Sequence, residues 1–348
     1  MPSFAMSVNG PVLAEDLGVT LPHEHLLIDM AARYQAFDND DIGESPDPSQ
    51  RWRLVRNPAG YRANLRTTDF AETLAELAHF KAAGGQTVVD LSPHGLATDT
   101  ERLPELARAS GLNVIASTGT YVEEAMPQWA REASVEELTE HFVEDLSTGG
   151  TEGVRRGAIG EIGIESASDA EVRSVRASAR AQATTGAPCF WHVMSGILPH
   201  TRADVTKLTN VYEREGGDPA HLVLCHQDAS GDEPSYQTSM MQRGVWLSFD
   251  NFGFESVFAY EDGFLQNPTD TVRINEVARL VGEGWGNQLL LSQDICYRMM
   301  RRTWGGWGMA HILDTLAPRF AAAGVDGQTL SSLMRDNPGR LLAYMSGP

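Results

Sequence analysis

Lysine is almost missing from this chain: of 27 basic residues only Lys81 and Lys207 are lysines, and the rest are arginines. A phosphate-cradling P-loop needs Gly-Lys-Ser/Thr, which neither lysine provides. The G-x-S-x-G elbow of serine hydrolases and the G-x-G-x-x-G dinucleotide fingerprint are absent too. Cysteine is scarce. Cys189, Cys225 and Cys296 are odd in number and lack C-x-x-C spacing, which excludes a disulfide scaffold and a thiolate zinc ribbon. They read as reduced thiols of a cytoplasmic protein. The N-terminal Met-Pro-Ser-Phe-Ala-Met-Ser has no basic segment followed by an apolar one, so nothing suggests secretion. The longest uncharged stretch, Ala181 to Thr201, is broken by Gln182, Pro188, His192 and Pro199 and does not read as a membrane span. Positive charge is in deficit: 27 Lys+Arg against 47 Asp+Glu leave −20, a field that repels phosphate backbones and anionic membranes. The expected partner is therefore a small molecule, not nucleic acid or a membrane.

What is present is material for a large core, with 42% hydrophobic residues over 348 positions. Eight short apolar, β-branched runs recur: 19–28, 86–91, 113–117, 157–162, 187–193, 221–225, 245–249 and 288–292. Helical signals lie between them. The pattern from Thr68 to Ala83 places Leu74, Leu77 and Phe80 roughly on one face before Gly84, and Ser134-Val-Glu-Glu137 is a capping box opening a run to Leu146. Strand and helix alternating eight times predict a (β/α)8 TIM barrel, with a doubly wound open sheet as the competing α/β arrangement. No linker divides the chain, so residues 1–348 are assigned to one domain. Residues 31–65, containing Asp38-Asn-Asp-Asp41, Pro46, Pro48 and Arg51-Trp-Arg53, fit neither period and form a long insertion after strand 1.

The strand ends carry the chemistry. Run one ends in His23-Glu-His25, the fourth holds Glu161, the fifth His192, the sixth leads to His226, the seventh to Asp250 and the eighth to Asp294. In a parallel barrel the C-terminal strand ends share one face, so these residues should converge. Residues two apart on a strand share a side, so His23 and His25 can grip one cation while Glu24 should point away towards the helices. One H-x-H pair alone can be a pair of satisfied core histidines. Four imidazoles with carboxylates suit zinc, or neighbouring ions such as manganese or cobalt. Six ligands exceed what one catalytic zinc uses, which favours two cations and requires a bridge. Neither lysine sits at a strand end to form a bridging carbamate, whereas Glu161 does.

In the order Asn9-Gly-Pro11, Leu21-Pro-His-Glu-His-Leu26, Val89-Asp-Leu-Ser-Pro93, Gly160-Glu-Ile-Gly163, Cys225-His-Gln-Asp228, Leu291-Ser-Gln-Asp294 and Asn337-Pro338, the chain resembles the phosphotriesterase-related (phosphotriesterase homology) proteins of the amidohydrolase superfamily. The resemblance spans nearly the whole chain. It implies that His23, His25 and Asp294 hold the more buried of two divalent ions, His192 and His226 the more exposed one, with Glu161 and a hydroxide between them. It further implies a homodimer. The six convergent ligands lead to hydrolysis by that hydroxide with Asp294 as the catalytic proton acceptor, and a lactone, carboxylic ester or amide is the expected substrate because such carbonyl compounds fit the site without the organophosphate relay. Phosphotriester or phosphoester hydrolysis is the alternative, and a metal-containing binding protein without turnover the competitor from another class. The proton relay of well-studied organophosphate hydrolases is absent or rerouted, because its places resemble Asn251 and Ala229.

For the substrate, Tyr121, Tyr297, Arg298 and Trp304 are the expected contacts, with Phe252 as a further wall residue. The basic, glycine-rich tail from Asp294 to Gly308 either holds an anionic group over the mouth or pairs with surface acids. His94 lies on the right rim but out of ligand register. His79, His141, His200, His221 and His311 read as structural or solvated, and Cys296 needs no chemical role.

Overall fold

The computed structural model describes residues 2–35, 48–96, 98–260 and 263–346. Eight parallel strands form one sheet in chain order: β1 Thr20–Glu24, β2 Thr87–Asp90, β3 Asn113–Thr118, β4 Ala158–Ile164, β5 Cys189–Val193, β6 Leu222–Leu224, β7 Trp246–Phe249 and β8 Leu289–Leu291. Each predicted run overlaps one of them, two strands running one and two residues further, to Thr118 and Ile164, and the architecture is the TIM barrel. The principal helices between and after them are α1 Phe70–Ala82, α2 Leu103–Ser110, α3 Val135–Ser147, α4 Asp169–Thr185, α5 Arg202–Arg214, α6 Pro234–Gln242 and α7 Asp270–Gly282. The capping box forms as read: Ser134 Oγ accepts from the Glu137 amide at 3.2 Å while Glu137 accepts from the Ser134 amide at 2.8 Å.

Alternation along the strands builds two apolar layers. Val89, Ile115, Phe190, Val223 and Leu290 fill the lumen, while Val88, Val114, Trp191, Leu224 and Leu291 pack outward with helix residues such as Leu77 and Phe142. Each such side chain contributes about 1.5–3 kcal/mol by leaving water. A hairpin that the strand count missed, Ser3–Ser7 with Gly10–Leu13, brings Ala5 to the lumen cluster, which Leu17, Leu341 and Leu342 also join.

Glu24 corrects the expectation that it faces the helices. It is fully buried at the seam between β8 and β1, where its carboxylate accepts from Ser292 Oγ at 2.8 Å and from the amides of Gln293 and Ile295 at 2.9 and 2.8 Å. Burial pushes its carboxyl up to about 7 although all three donors pull it down. Ser292 Oγ also accepts from the His23 amide at 3.1 Å, so one side chain and one hydroxyl stitch the barrel shut beside the first histidine. Glu24→Gln cannot accept all three bonds and should lose about 2–4 kcal/mol. A lower urea midpoint at unchanged slope would show this, whereas an unchanged midpoint would mean the seam closes without it.

The described part of the insertion is folded onto the β8 loop. Its short helix Arg51–Arg56 sends Arg51 Nη1 to the carbonyls of Met299 and Trp304 at 2.9 and 3.0 Å, and Asn64 Oδ1 accepts from the Met299 amide at 2.8 Å. Asp38-Asn-Asp-Asp41 and Pro46 lie outside the described residues.

Candidate metal centre

Simple alternation aims His192 inward, two residues on from the lumen-facing Phe190, but for the other ligands local breaks in the backbone do it. Leu21 packs in the outer layer, and a register shift between Leu21 and Glu24 lets His23 and His25 turn into the mouth. A second shift between Ile159 and Ile162 does the same for Glu161. Cys225 belongs to the lumen cluster, so the next residue should face out, but His226 is left-handed with φ 58° and is held there by its amide donating to Asp250 Oδ1 at 2.9 Å. Asp294 is left-handed as well, at φ 48°, with its amide on the His23 carbonyl at 3.2 Å. Left-handed backbone costs a non-glycine residue roughly 1–2 kcal/mol, and such strain concentrates at functional sites.

The result is one buried polar cup containing all six predicted ligands. Glu161 Oε1 lies 3.1 Å from His23 Nε2, 3.1 Å from His192 Nδ1 and 3.4 Å from His226 Nε2, and its Oε2 lies 3.6 Å from His25 Nε2. Asp294 Oδ1 is 3.2 Å from His25 Nε2 and 3.7 Å from His23 Nε2. His226 Nε2 stands 2.9 Å from His192 Nδ1. His23 Nε2 and Asp294 Oδ1 are buried without a hydrogen-bond partner, which is what atoms reserved for a cation look like.

Electrostatics favour the same reading. Burial opposes charge on His23 and His226, yet the surrounding acidic groups, Glu161, Asp250 and Asp294 among them, raise both imidazoles well above their ordinary range. Glu161 is pushed up by burial, but His23 and His192 dominate and hold it well below the carboxylate range. The cup thus favours added positive charge, and two groups that share His23, one with Glu161 and His226 and the other with His25 and Asp294, each bring their ligand atoms close enough to hold a metal ion.

The backing of the imidazoles was only partly visible in the sequence. Asp250 grips two of them, with Oδ2 2.9 Å from His23 Nδ1 and Oδ1 2.8 Å from His226 Nδ1. Burial raises its carboxyl, but the attraction of His226 and His23 outweighs that and keeps it well below its usual value. His25 Nδ1 meets Ser92 Oγ at 3.0 Å, and Ser92 bonds in turn to Asp90. Such partners fix tautomer and ring orientation. The Asp-x-Ser spacing at the end of β2 was the available signal. Asn251, at one of the relay places, donates to Asp250 and Asp228, and Asp228 is locked by Arg273 Nε at 2.8 Å.

A cleft of about 820 Å³, its open mouth included, lies over this cup. His25, Glu161, His192, His226 and Asp294 line it together with Tyr121, Phe254, Phe258 and Tyr297. Tyr121 Oη is 3.4 Å from His192 Nε2, and Tyr297 stacks on Phe254 with centroids 5.5 Å apart. Arg298 and Trp304 are not in its wall. Arg298 is drawn to Glu72 on α1 at 3.0 Å and lies over the buried Trp304 ring at 4.7 Å. The tail's other arginines also meet acids: Arg301 reaches Glu72 and Arg302 reaches Asp314. Phe252 is buried against Phe320 behind the wall. Among the described residues the cation that lines the cleft is one the sequence did not single out, Arg33 from the insertion, paired with Glu165 and Glu124 at 3.1 Å each.

The chain matches a family model described as the phosphotriesterase family over residues 4–342. It is 30% identical to a phosphotriesterase-related protein of Nematostella vectensis, covering 98% of this chain and 99% of that one. It is 31% identical to the N-acetyltaurine hydrolase of Rattus norvegicus, with 97% of each chain covered. Among solved structures, a resiniferatoxin-binding protein from Rhodobacter sphaeroides superposes with a TM-score of 0.91 at 30% identity, covering 99% of this chain and 97% of the other. With the cup and its order along the barrel in place, the chain belongs to the phosphotriesterase family and is a hydrolase.

Proposed function

We propose that the protein hydrolyses a carbonyl substrate, an amide, ester or lactone, using two divalent ions, zinc foremost with manganese or cobalt as substitutes. The observation that carries this reading is Glu161, whose two oxygens face imidazoles on both sides of the cup. A pair of such ions supplies an activated water at neutral pH and a Lewis acid for the carbonyl oxygen. His23, His25 and Asp294 would hold the deeper ion and His192 and His226 the one nearer the cleft, with Glu161 between them. Asp294 accepts the proton of the attacking water and returns it to the leaving group, a role suited to a carboxylate that touches the ligand set and also lines the cleft. The Phe254, Phe258 and Tyr297 wall excludes water around the acyl part.

Arg33 would hold an acidic substrate group by exchanging its exposed partner Glu124 for it, and relatives named N-acetyltaurine hydrolase make an N-acyl amide of that kind the first compound to assay. Chelation should abolish hydrolysis and zinc, manganese or cobalt restore it; full turnover by metal-free protein would end the reading. Arg33→Ala should raise KM for an anionic amide about 10–100-fold, the worth of one charge-assisted hydrogen bond, while a neutral ester changes only a few-fold. Equal effects on both would remove Arg33 from substrate binding. Phosphotriester cleavage is the alternative, separated by parallel assays. A metal-containing binding protein is the other reading, prompted by the similarity to a resiniferatoxin-binding protein; two ions per chain without any hydrolysis would support it. A homodimer, checked by sedimentation, completes the proposal.

A further inference from the structure

Outside the cup, two histidines and an aspartate meet at the barrel rim. His94 follows β2, and His141 and Asp145 sit one turn apart on α3. His141 Nε2 is 3.0 Å from His94 Nε2, and Asp145 Oδ2 is 3.3 Å from the first of these rings' partner, His94 Nε2, and 3.7 Å from His141 Nε2. Three ligand atoms thus form a small triangle. Those edges bracket the roughly 3.3 Å separation that tetrahedral ligands have at a metal–ligand distance of about 2.0–2.1 Å.

Protons alone serve this triangle poorly. If His141 Nε2 carries the hydrogen between the imidazoles, Asp145 Oδ2 faces a bare His94 Nε2 at 3.3 Å, and if His94 Nε2 carries it, that one hydrogen is divided between His141 Nε2 at 3.0 Å and Asp145 Oδ2 at 3.3 Å. If both nitrogens carry hydrogens, the two collide across 3.0 Å. Asp145 Oδ2 already accepts from Thr118 Oγ1 at 2.6 Å, which fixes the carboxylate as an acceptor turned towards the rings. We propose that His94, His141 and Asp145 bind a divalent first-row transition ion, separate from the catalytic pair, with water completing its shell.

The surroundings permit it. The His94 and His141 side chains keep 22% and 34% of their surface exposed, enough for entry, while Asp145 keeps 5%. Trp129 packs against both rings, with centroids 5.5 and 4.6 Å away, and holds their planes. The nearby Arg156 is engaged by Glu152 and the Val154 carbonyl. Such an ion would tie the β2 loop to α3. That loop carries Leu96 in the cleft wall, and the His94 carbonyl accepts from the amide of Tyr121, another wall residue, at 3.2 Å. The ion would therefore brace one side of the cleft without touching the reacting atoms.

The test is metal content per chain after loading with zinc, and separately with cobalt, followed by gel filtration. His141→Ala should carry one equivalent less than the wild type, Asp145→Asn should also lose that equivalent, and Glu161→Gln should retain it while losing metal from the cup. Zinc should raise the thermal midpoint of Glu161→Gln but not of Glu161→Gln combined with His141→Ala. Equal metal content in the wild type, His141→Ala and Asp145→Asn would overturn the proposal, whatever the cup itself holds.

Discussion

Glu161→Gln should lower kcat/KM for any hydrolysed substrate by on the order of 10³-fold or more, the scale of losing one member of a catalytic constellation. The glutamine keeps the size of the side chain but replaces one oxygen with an amide that donates. In the cup both Glu161 oxygens face ring nitrogens, at 3.1 to 3.6 Å, so whichever way the amide turns, one side loses its anionic partner. Bound metal should fall together with activity. A variant that retains both would show that Glu161 is not the shared ligand.

Asp250→Asn should be almost as damaging although Asp250 has no proposed contact with substrate or metal. It holds Nδ1 of His23, Nδ1 of His226 and the His226 amide, the last keeping a left-handed residue in place. Loss of one such backing partner typically costs 10–100-fold in metal affinity or activity, and here two imidazoles share one carboxylate, so about 10²–10⁴-fold is expected. Breaking a buried charged contact should also cost about 3–5 kcal/mol of stability. The pH dependence follows from the sign of the shift. Asp250 is held below its unfolded value of about 3.9, so its stabilisation is complete above that pH and fades as pH falls towards the folded value. The stability gap between wild type and Asp250→Asn should therefore be widest near neutrality and shrink in acid. A gap that grows on acidification would contradict this account.

The eight strands and the six cup residues were legible because both are written in short-range patterns: apolar runs of strand length, and polar residues at their C-terminal ends. What a one-dimensional pattern does not encode is how a side chain turns after the strand ends. Glu24 looked helix-facing by alternation, but the bulge in β1 places it at the β8 seam instead. Asp250 was visible as a strand-end carboxylate, yet its task of orienting two rings depends on β1 and β6 flanking the site in space. The arginines after β8 form a basic cluster in sequence, and only the approach of α1 with Glu72 shows that their charge is already met. Arg33 lay in a segment with no period to read. The His94, His141 and Asp145 group was hidden for a related reason, because its i,i+4 pair on α3 acquires a third partner only through the barrel rim.

The measurement that bears most directly on the central claim is anomalous X-ray diffraction at the zinc edge from crystals loaded with zinc. The account predicts two peaks in the cup about 3.5–4 Å apart, one on each side of the Glu161 carboxylate, with His23, His25 and Asp294 around one and His192 and His226 around the other. A cup with one peak, or with none while the protein still hydrolyses its substrate, would contradict it.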